Sequence, residues 1–272
     1  MISVILTIKN RAHLLKWALE SLVELNHTSQ GGKFHLIDEI LIADGGSNDN
    51  LKEIIQNYSS YFDRIALFNL DRSKSPYNHV NNCPAWEYNF LVSKAKNDII
   101  IKIDPEVCII TPTFIEKGLE ILKTNQDAIF MPFCYHNYDY YINSLDDIKK
   151  NYLDYYYQTH LTEQGVNNGV CRLIYYACMF RKQSYIDLGG IDMRFVEGIG
   201  SEDDHFFDQW ERKYGKESVI STTEEKCVHL WHGIWGKEVP AEFSDLVMKN
   251  RILRDELKEV YPNNGDFNSV KY

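Results

Sequence analysis

No stretch of this 272-residue chain approaches the roughly 18 consecutive apolar residues that a membrane-spanning helix requires. Its opening, MISVILTIKN, is apolar from position 2 but lacks the basic region and small-residue cleavage site of a secretory leader, and it reads as a first core strand. Basic residues are in deficit: 29 Lys and Arg stand against 39 Asp and Glu, for a net charge of −10. No basic stripe is visible, which argues against a nucleic-acid partner, since phosphate binding needs Lys- and Arg-rich faces. The six cysteines, at 83, 108, 134, 171, 178 and 227, form no CxxC pair and no regular framework. That usage fits reduced, mostly buried thiols in a cytoplasmic protein. There are no repeats and no low-complexity tract. The zinc-protease signature HExxH is absent. The first strand runs into TIKNRAHLL without the glycines of a phosphate loop, which disfavours a nucleotidyltransferase.

What is present is an ordinary globular balance, 44% hydrophobic and 25% charged, with 13% aromatics including 18 tyrosines. An abundance of Tyr and Asn suits polar ligands such as sugars. Continuous β-rich runs at 2–8, 37–44, 64–70 and 98–104 alternate with helical patterns at 11–25, 51–58 and 85–95. That alternation predicts an α/β fold of βαβ units around a parallel sheet. Ligands of such sheets bind beyond the carboxyl ends of the strands, and Thr7–Arg11, Asp44 and Asp104–Glu106 all fall there. Farther on, the pattern predicts a helix over 113–123, a strand over 128–133, and a tyrosine-rich flexible or helical excursion over 135–160. A strand and short helix stopped by Gly189-Gly190 come next, then a helix beginning near Glu202 and another over 243–260.

Four stretches carry the chemistry, each with a plain alternative. LIADGGSND can be a turn in which Ser47, Asn48 or Asp49 caps the following helix. In IDPEV, Asp104 and Glu106 flank Pro105, a spacing that can place two carboxylates on one Mg²⁺ or Mn²⁺. In GIGSEDDHFF, Ser201 and Asp204 have capping-box spacing, and acids in a first turn favour the helix dipole. Capping explains one acid but not three together. CVHLWHG places His229 and His232 beside Trp231 and Trp235, where one imidazole could complete a metal shell begun by Glu106.

Taken in order, these stretches resemble the nucleotide-sugar glycosyltransferases of the GT-A fold, in particular the family-2-like group. SVILTIKNR resembles that group's first strand, and IADGGSNDN its Asp-rich turn, with Gly45 replacing the usual second Asp. YNFLVSKAKNDIIIKIDPE keeps the spacing from Asn89 to the acidic metal motif, with Tyr88 where an Arg is common. LGGIDMRFVEGIGSEDDHFF is similar to the acceptor motif of galactosyl- and N-acetylgalactosaminyltransferases, with His205 where an Asp is common; HLWHG is similar to their late His motif.

The resemblance implies a nucleotide-sugar-binding half over 1–107, an acceptor-binding and catalytic half of the same domain over 108–240, and a C-terminal helix and tail over 241–272. It implies a UDP-sugar donor bound by Thr7, Arg11, Asp44 and Asp104, with Asp44 on the uracil. It implies Mn²⁺ (or Mg²⁺) on Glu106, His232 and Asp104, His232 being favoured over His229. Asp203 would be the general base and Glu202 its catalytic neighbour; Glu202, Asp204 and Trp231 would hold a glycan acceptor. Direct displacement would invert the anomeric centre. The expected setting is cytoplasmic synthesis of a surface polysaccharide or glycoconjugate, with peripheral membrane association open. A non-catalytic sugar-nucleotide module and a retaining transferase are the alternatives.

Overall fold

Among the described residues the chain forms one eight-stranded sheet flanked by eight α-helices. The structure, a computed structural model, describes residues 1–28, 36–72, 83–137, 142–154, 176–232 and 244–258. Its parallel half follows from the apolar runs. Strand β1 (Ile2–Ile8) is buried throughout, and β2 (Ile37–Asp44) is buried up to its terminal Asp44, as strands covered on both faces must be. Both pair in parallel, Ile8 opposite Asp44; β3 (Arg64–Asn69) flanks β2, and β4 (Ile99–Ile103) flanks β1. Alternate residues of β1 serve opposite faces. Val4 and Leu6 pack with helix α1 (Ala12–Thr28), whereas Ile5 packs with helix α3 (Ala85–Lys94). Each such fully buried side chain is worth roughly 1.5–3 kcal/mol over its exposed state.

The second half joins the same sheet antiparallel. Strand β7 (Ala177–Arg181) pairs with β4, and the sheet continues through β6 (Ile129–Asn137) and β8 (Val219–Leu230) to β5 (Val107–Ile109) at the edge. Around it lie α2 (Leu51–Tyr58), α4 (Phe114–Thr124), α5 (Leu145–Asn151), α6 (Lys182–Leu188), α7 (Glu202–Tyr214) and α8 (Ser244–Leu257). Gly189 ends α6 in the left-handed conformation, φ 97°, as a C-capping glycine should. Cys83, Cys108, Cys134, Cys178 and Cys227 are buried free thiols. Among the described residues no helix is long and apolar enough to cross a membrane. Much of the tyrosine-rich tract, Trp235, Cys171 and the tail beyond 258 lie outside the described residues.

The turn after β2 differs from expectation in a way that matters for the site. Neither Ser47, Asn48 nor Asp49 caps α2, whose N-cap Asn50 makes no side-chain cap bond. The Asp49 carboxylate instead accepts the Ala12 amide of α1 at 2.9 Å, while the Ser47 hydroxyl and the Asn48 amide bond to Asn10. The loops after β1 and β2 are thereby laced together, and Arg11 is fixed at the mouth of the sheet.

Candidate active site

Glu106 owes its surroundings to strand pairing. The Val107 amide donates to the Asp104 carbonyl at 3.0 Å, so the chain turns tightly at Pro105 from β4 into β5. In the β5–β8 pair Val107 faces His229, and the Leu230 amide donates to the Glu106 carbonyl at 2.8 Å. His229 Nε2 and His232 Nε2 therefore stand 3.7 and 3.5 Å from Glu106 Oε1. Arg11 forms an ion pair with the same oxygen. Glu106 and His232 thus stand together, joined by His229, the less favoured imidazole, and by Arg11, which was expected in the nucleotide pocket.

Charge states here suit a cation. Burial works to raise the Glu106 pKa, but the His229 hydrogen bond and the positive charge of Arg11 overcome it and hold the carboxyl down at about 2. Burial first, then the Arg11 charge, pushes His232 down to about 4. An ionised carboxylate and a neutral imidazole are the forms that ligate metals. The ligand atoms of Glu106, His229 and His232 all lie within 4.8 Å of one another. Glu106 Oε2 and His232 Nδ1 are buried without a hydrogen-bond partner, a condition folded proteins seldom leave unexplained. The donor set fits a divalent ion such as Mn²⁺.

A cleft of about 390 Å³ opens beside this group, lined by Thr7, Arg11, Arg72, Asp104, Glu106 and His232 among others. Asp104 stands outside the three-residue metal group. Its Oδ1 instead accepts the Tyr88 hydroxyl at 2.7 Å and the buried Lys102 ammonium at 2.6 Å. The Thr7 side chain bonds to the same Tyr88 phenol. Asp44 is half-buried at the end of β2, and its Oδ1 accepts the Gly46 and Ser47 amides. Gly45 has its own cause: a Cβ there would come 3.1 Å from Arg72 Nε, and Arg72 is itself held by buried Glu87. An arginine from the end of β3 thus occupies the space beside residue 45. Trp231 is half-buried, its ring parallel to His232 within 14° at 6.3 Å.

The acid run opens α7, and here the capping box fails. Ser201 is left-handed, φ 65°, and makes no side-chain cap bond; the Asp203 carboxylate takes the Asp204 amide at 2.8 Å instead. Burial above all, then the Asp204 anion, lifts Asp203 to about 6. Burial and the Asp203 anion lift Glu202 to about 8, and its Oε2 is buried without a partner. Glu202 therefore keeps its proton at neutral pH while Asp203 can accept one. The Lys102 charge acts on both acids as well as on Asp104, and the Tyr176 phenol feels Asp104, Asp203 and Glu106 together. These effects join the acid run electrostatically to the cleft. Asp204 is committed elsewhere, to Arg254 of α8 at 2.9 Å. Asn89 fastens α3 to the segment before the run: Tyr185 and the Ile191 amide donate to its Oδ1, and its Nδ2 donates to the Ile191 carbonyl.

Residues 3–189 match the glycosyl transferase family 2 model. No curated protein sequence matches the chain. Among solved structures it is similar to S. aureus TarS 1–349, with 12% identity and a TM-score of 0.57, over 84% of this chain and 60% of that one. It is also similar to the Pyrobaculum calidifontis mannosyltransferase PcManGT in complex with GDP-Man and Mn²⁺, with 12% identity and a TM-score of 0.56, over 84% and 56%. A third is glucosyl-3-phosphoglycerate synthase of M. tuberculosis in complex with Mn²⁺, UDP and glucosyl-3-phosphoglycerate, with 14% identity and a TM-score of 0.55, over 93% and 79%. The chain thus spans under two thirds of the first two. With a matching family model over most of its length and the fold of these solved structures, the chain belongs to glycosyl transferase family 2.

Proposed function

We propose that this enzyme transfers a sugar from a UDP-sugar to a hydroxyl of a glycan acceptor, with inversion, using Mn²⁺ or Mg²⁺. The observation that carries the proposal is the Glu106, His229 and His232 group at the edge of the cleft. When bound there, a divalent cation would neutralise the diphosphate leaving group. Solved neighbours support the donor class: TarS has been seen with UDP and with UDP-GlcNAc, and the M. tuberculosis synthase with Mn²⁺ and UDP. Arg11 and Arg72 add positive charge to the same cleft, where Thr7 and Asp104 orient the nucleoside; Asp44, at the end of β2, is assigned to the same nucleoside. Surface-glycan synthesis on the cytoplasmic face is the setting we assign.

The acceptor oxygen attacks the anomeric carbon as the bond from that carbon to the phosphate oxygen breaks. Asp203 takes the hydroxyl proton; a carboxyl near 6 suits a base at neutral pH and is worth roughly 10²–10⁴ in rate. Glu202, protonated, donates a hydrogen bond to the acceptor, and Trp231 offers it a flat apolar face. A panel of UDP-sugars with Mn²⁺, scored for UDP release with and without sugar acceptors, tests the reaction. Asp203→Asn should abolish transfer and spare UDP binding, and the wild-type rate should fall as pH drops below about 6. Normal transfer by Asp203→Asn would overturn the base assignment. A product with the donor's own anomeric configuration, seen by NMR, would overturn inversion.

A further inference from the structure

Helix α8 lies beyond the residues that the family model matches, yet its polar side chains converge on the loop that delivers the acid run. Asn250 is fully buried, and its Nδ2 donates to the Phe195 carbonyl at 3.0 Å and the Gly200 carbonyl at 2.8 Å, gripping both ends of that loop. Between them the Ile199 amide donates to the Leu246 carbonyl at 3.2 Å. One helical turn on, Arg254 binds Asp204 at 2.9 Å and Asp208 at 2.9 Å with separate nitrogens, which ties down the first two turns of α7.

The loop is built to receive this grip. A Cβ on Gly198 would lie 2.0 Å from Asn250 Oδ1, so residue 198 must be glycine for the asparagine to sit where it does. Gly200 and Ser201 are both left-handed, φ 70° and 65°. A serine persists in that conformation only where its surroundings hold it, and the bond from Asn250 to the Gly200 carbonyl does so immediately before Glu202. Hydrophobic contacts of Leu253 and Leu257 already fasten α8 to the core. A buried amide is not needed for adhesion. What its Nδ2 adds is a single geometry, since one nitrogen reaches both the Phe195 and Gly200 carbonyls in one arrangement only, even though Oδ1 stays buried without a partner.

We propose that α8 is the positioning element of the catalytic centre, Asn250 and Arg254 together holding the Gly198–Asp204 segment so that Asp203 faces the acceptor hydroxyl. This rests on Asp203 being the base, as proposed above. Because misplacement by about 1 Å far from the chemistry can cost about a hundredfold in rate, Asn250→Ala should lower the transfer kcat by about that factor. Donor KM and the affinity for UDP with Mn²⁺ should stay unchanged. Gly198→Ala should do the same in the wild type and add nothing in the Asn250→Ala background, because the atom it collides with is gone. Arg254→Gln, at a more exposed site, should cost about tenfold in kcat with donor KM intact, and serves if Asn250→Ala does not fold. Normal kcat in Asn250→Ala or Arg254→Gln, or additive effects of Gly198→Ala and Asn250→Ala, would overturn the inference. So would a parallel loss of UDP binding, which would mark a general folding role. Asp203→Asn measured alongside separates the two ideas: if it transfers normally, the base assignment fails. If it is dead while Asn250→Ala is normal, only the positioning role fails.

Discussion

Replacing Glu202 by Gln should stabilise the protein in alkaline solution. Glu202 is half-buried at the start of α7, with Oε2 buried and unpartnered. Burial first, then the Asp203 anion, moves its pKa from 4.5 to about 8, Lys102 opposing and losing. The folded protein therefore holds this proton more tightly than the unfolded chain does. Its contribution to stability is complete below about 4.5 and is lost as pH rises through about 8. At about 1.4 kcal/mol for each tenfold change in proton affinity the difference approaches roughly 5 kcal/mol, and partial exposure reduces it to about 2–3 kcal/mol. An isosteric amide never ionises and escapes that loss. For a chain of this size the gain is a Tm higher by about 5–10 °C at pH 9, and no difference at pH 4. Thermal unfolding of both proteins in EDTA from pH 4 to 9 measures it. Equal Tm values at pH 9, or a gain that persists at pH 4, would refute the burial argument. Transfer activity should fall in the same variant, the usual exchange of stability for function at an active site.

Other expectations are more direct. Glu106→Gln should weaken Mn²⁺ binding by at least about a hundredfold in a calorimetric titration, since it removes the charge of a ligand rather than a supporting bond; unchanged affinity would place the metal elsewhere. Tyr88→Phe deletes the donor to Asp104 and should raise the donor KM about tenfold with kcat little changed, as the loss of a bond to a charged group predicts. Asp49→Ala removes the cap of α1 and should cost about 1 kcal/mol, a Tm drop of about 2–4 °C.

The parallel half of the fold was legible because Ile2–Ile8 and Ile37–Asp44 are buried on both faces, and that demands uninterrupted apolar sequence. Strand β8 was not. Its middle reads STTEEK, partly exposed, and between Thr222 and Lys226 the pairing with β6 skips register. Among the site residues, Glu106 was marked by its spacing to Asp104 and both imidazoles by CVHLWHG, with His232 favoured only through the resemblance; the pairing of β8 with β5 is what brings His229 in as well. Tyr88, Lys102, Asn250 and Arg254 carried no local signal: each acts through a partner that only the folded chain brings near, or through burial of a charge that sequence patterns assign to the surface. Ser201 misled for the opposite reason. Its spacing to Asp204 suits a capping box, but left-handed backbone puts its hydroxyl out of reach.

The seam between β4 and β7 joins the two halves of the sheet. Five consecutive residue pairs, from Ile99 with Arg181 to Ile103 with Ala177, weld the parallel and antiparallel halves back to back. Under the proposed function, donor and acceptor chemistry would therefore ride on one continuous slab. On that reading, selection for new sugars would work by trading the segments that hang from the strand ends, as one changes the jaws of a vice while the screw and frame stay put.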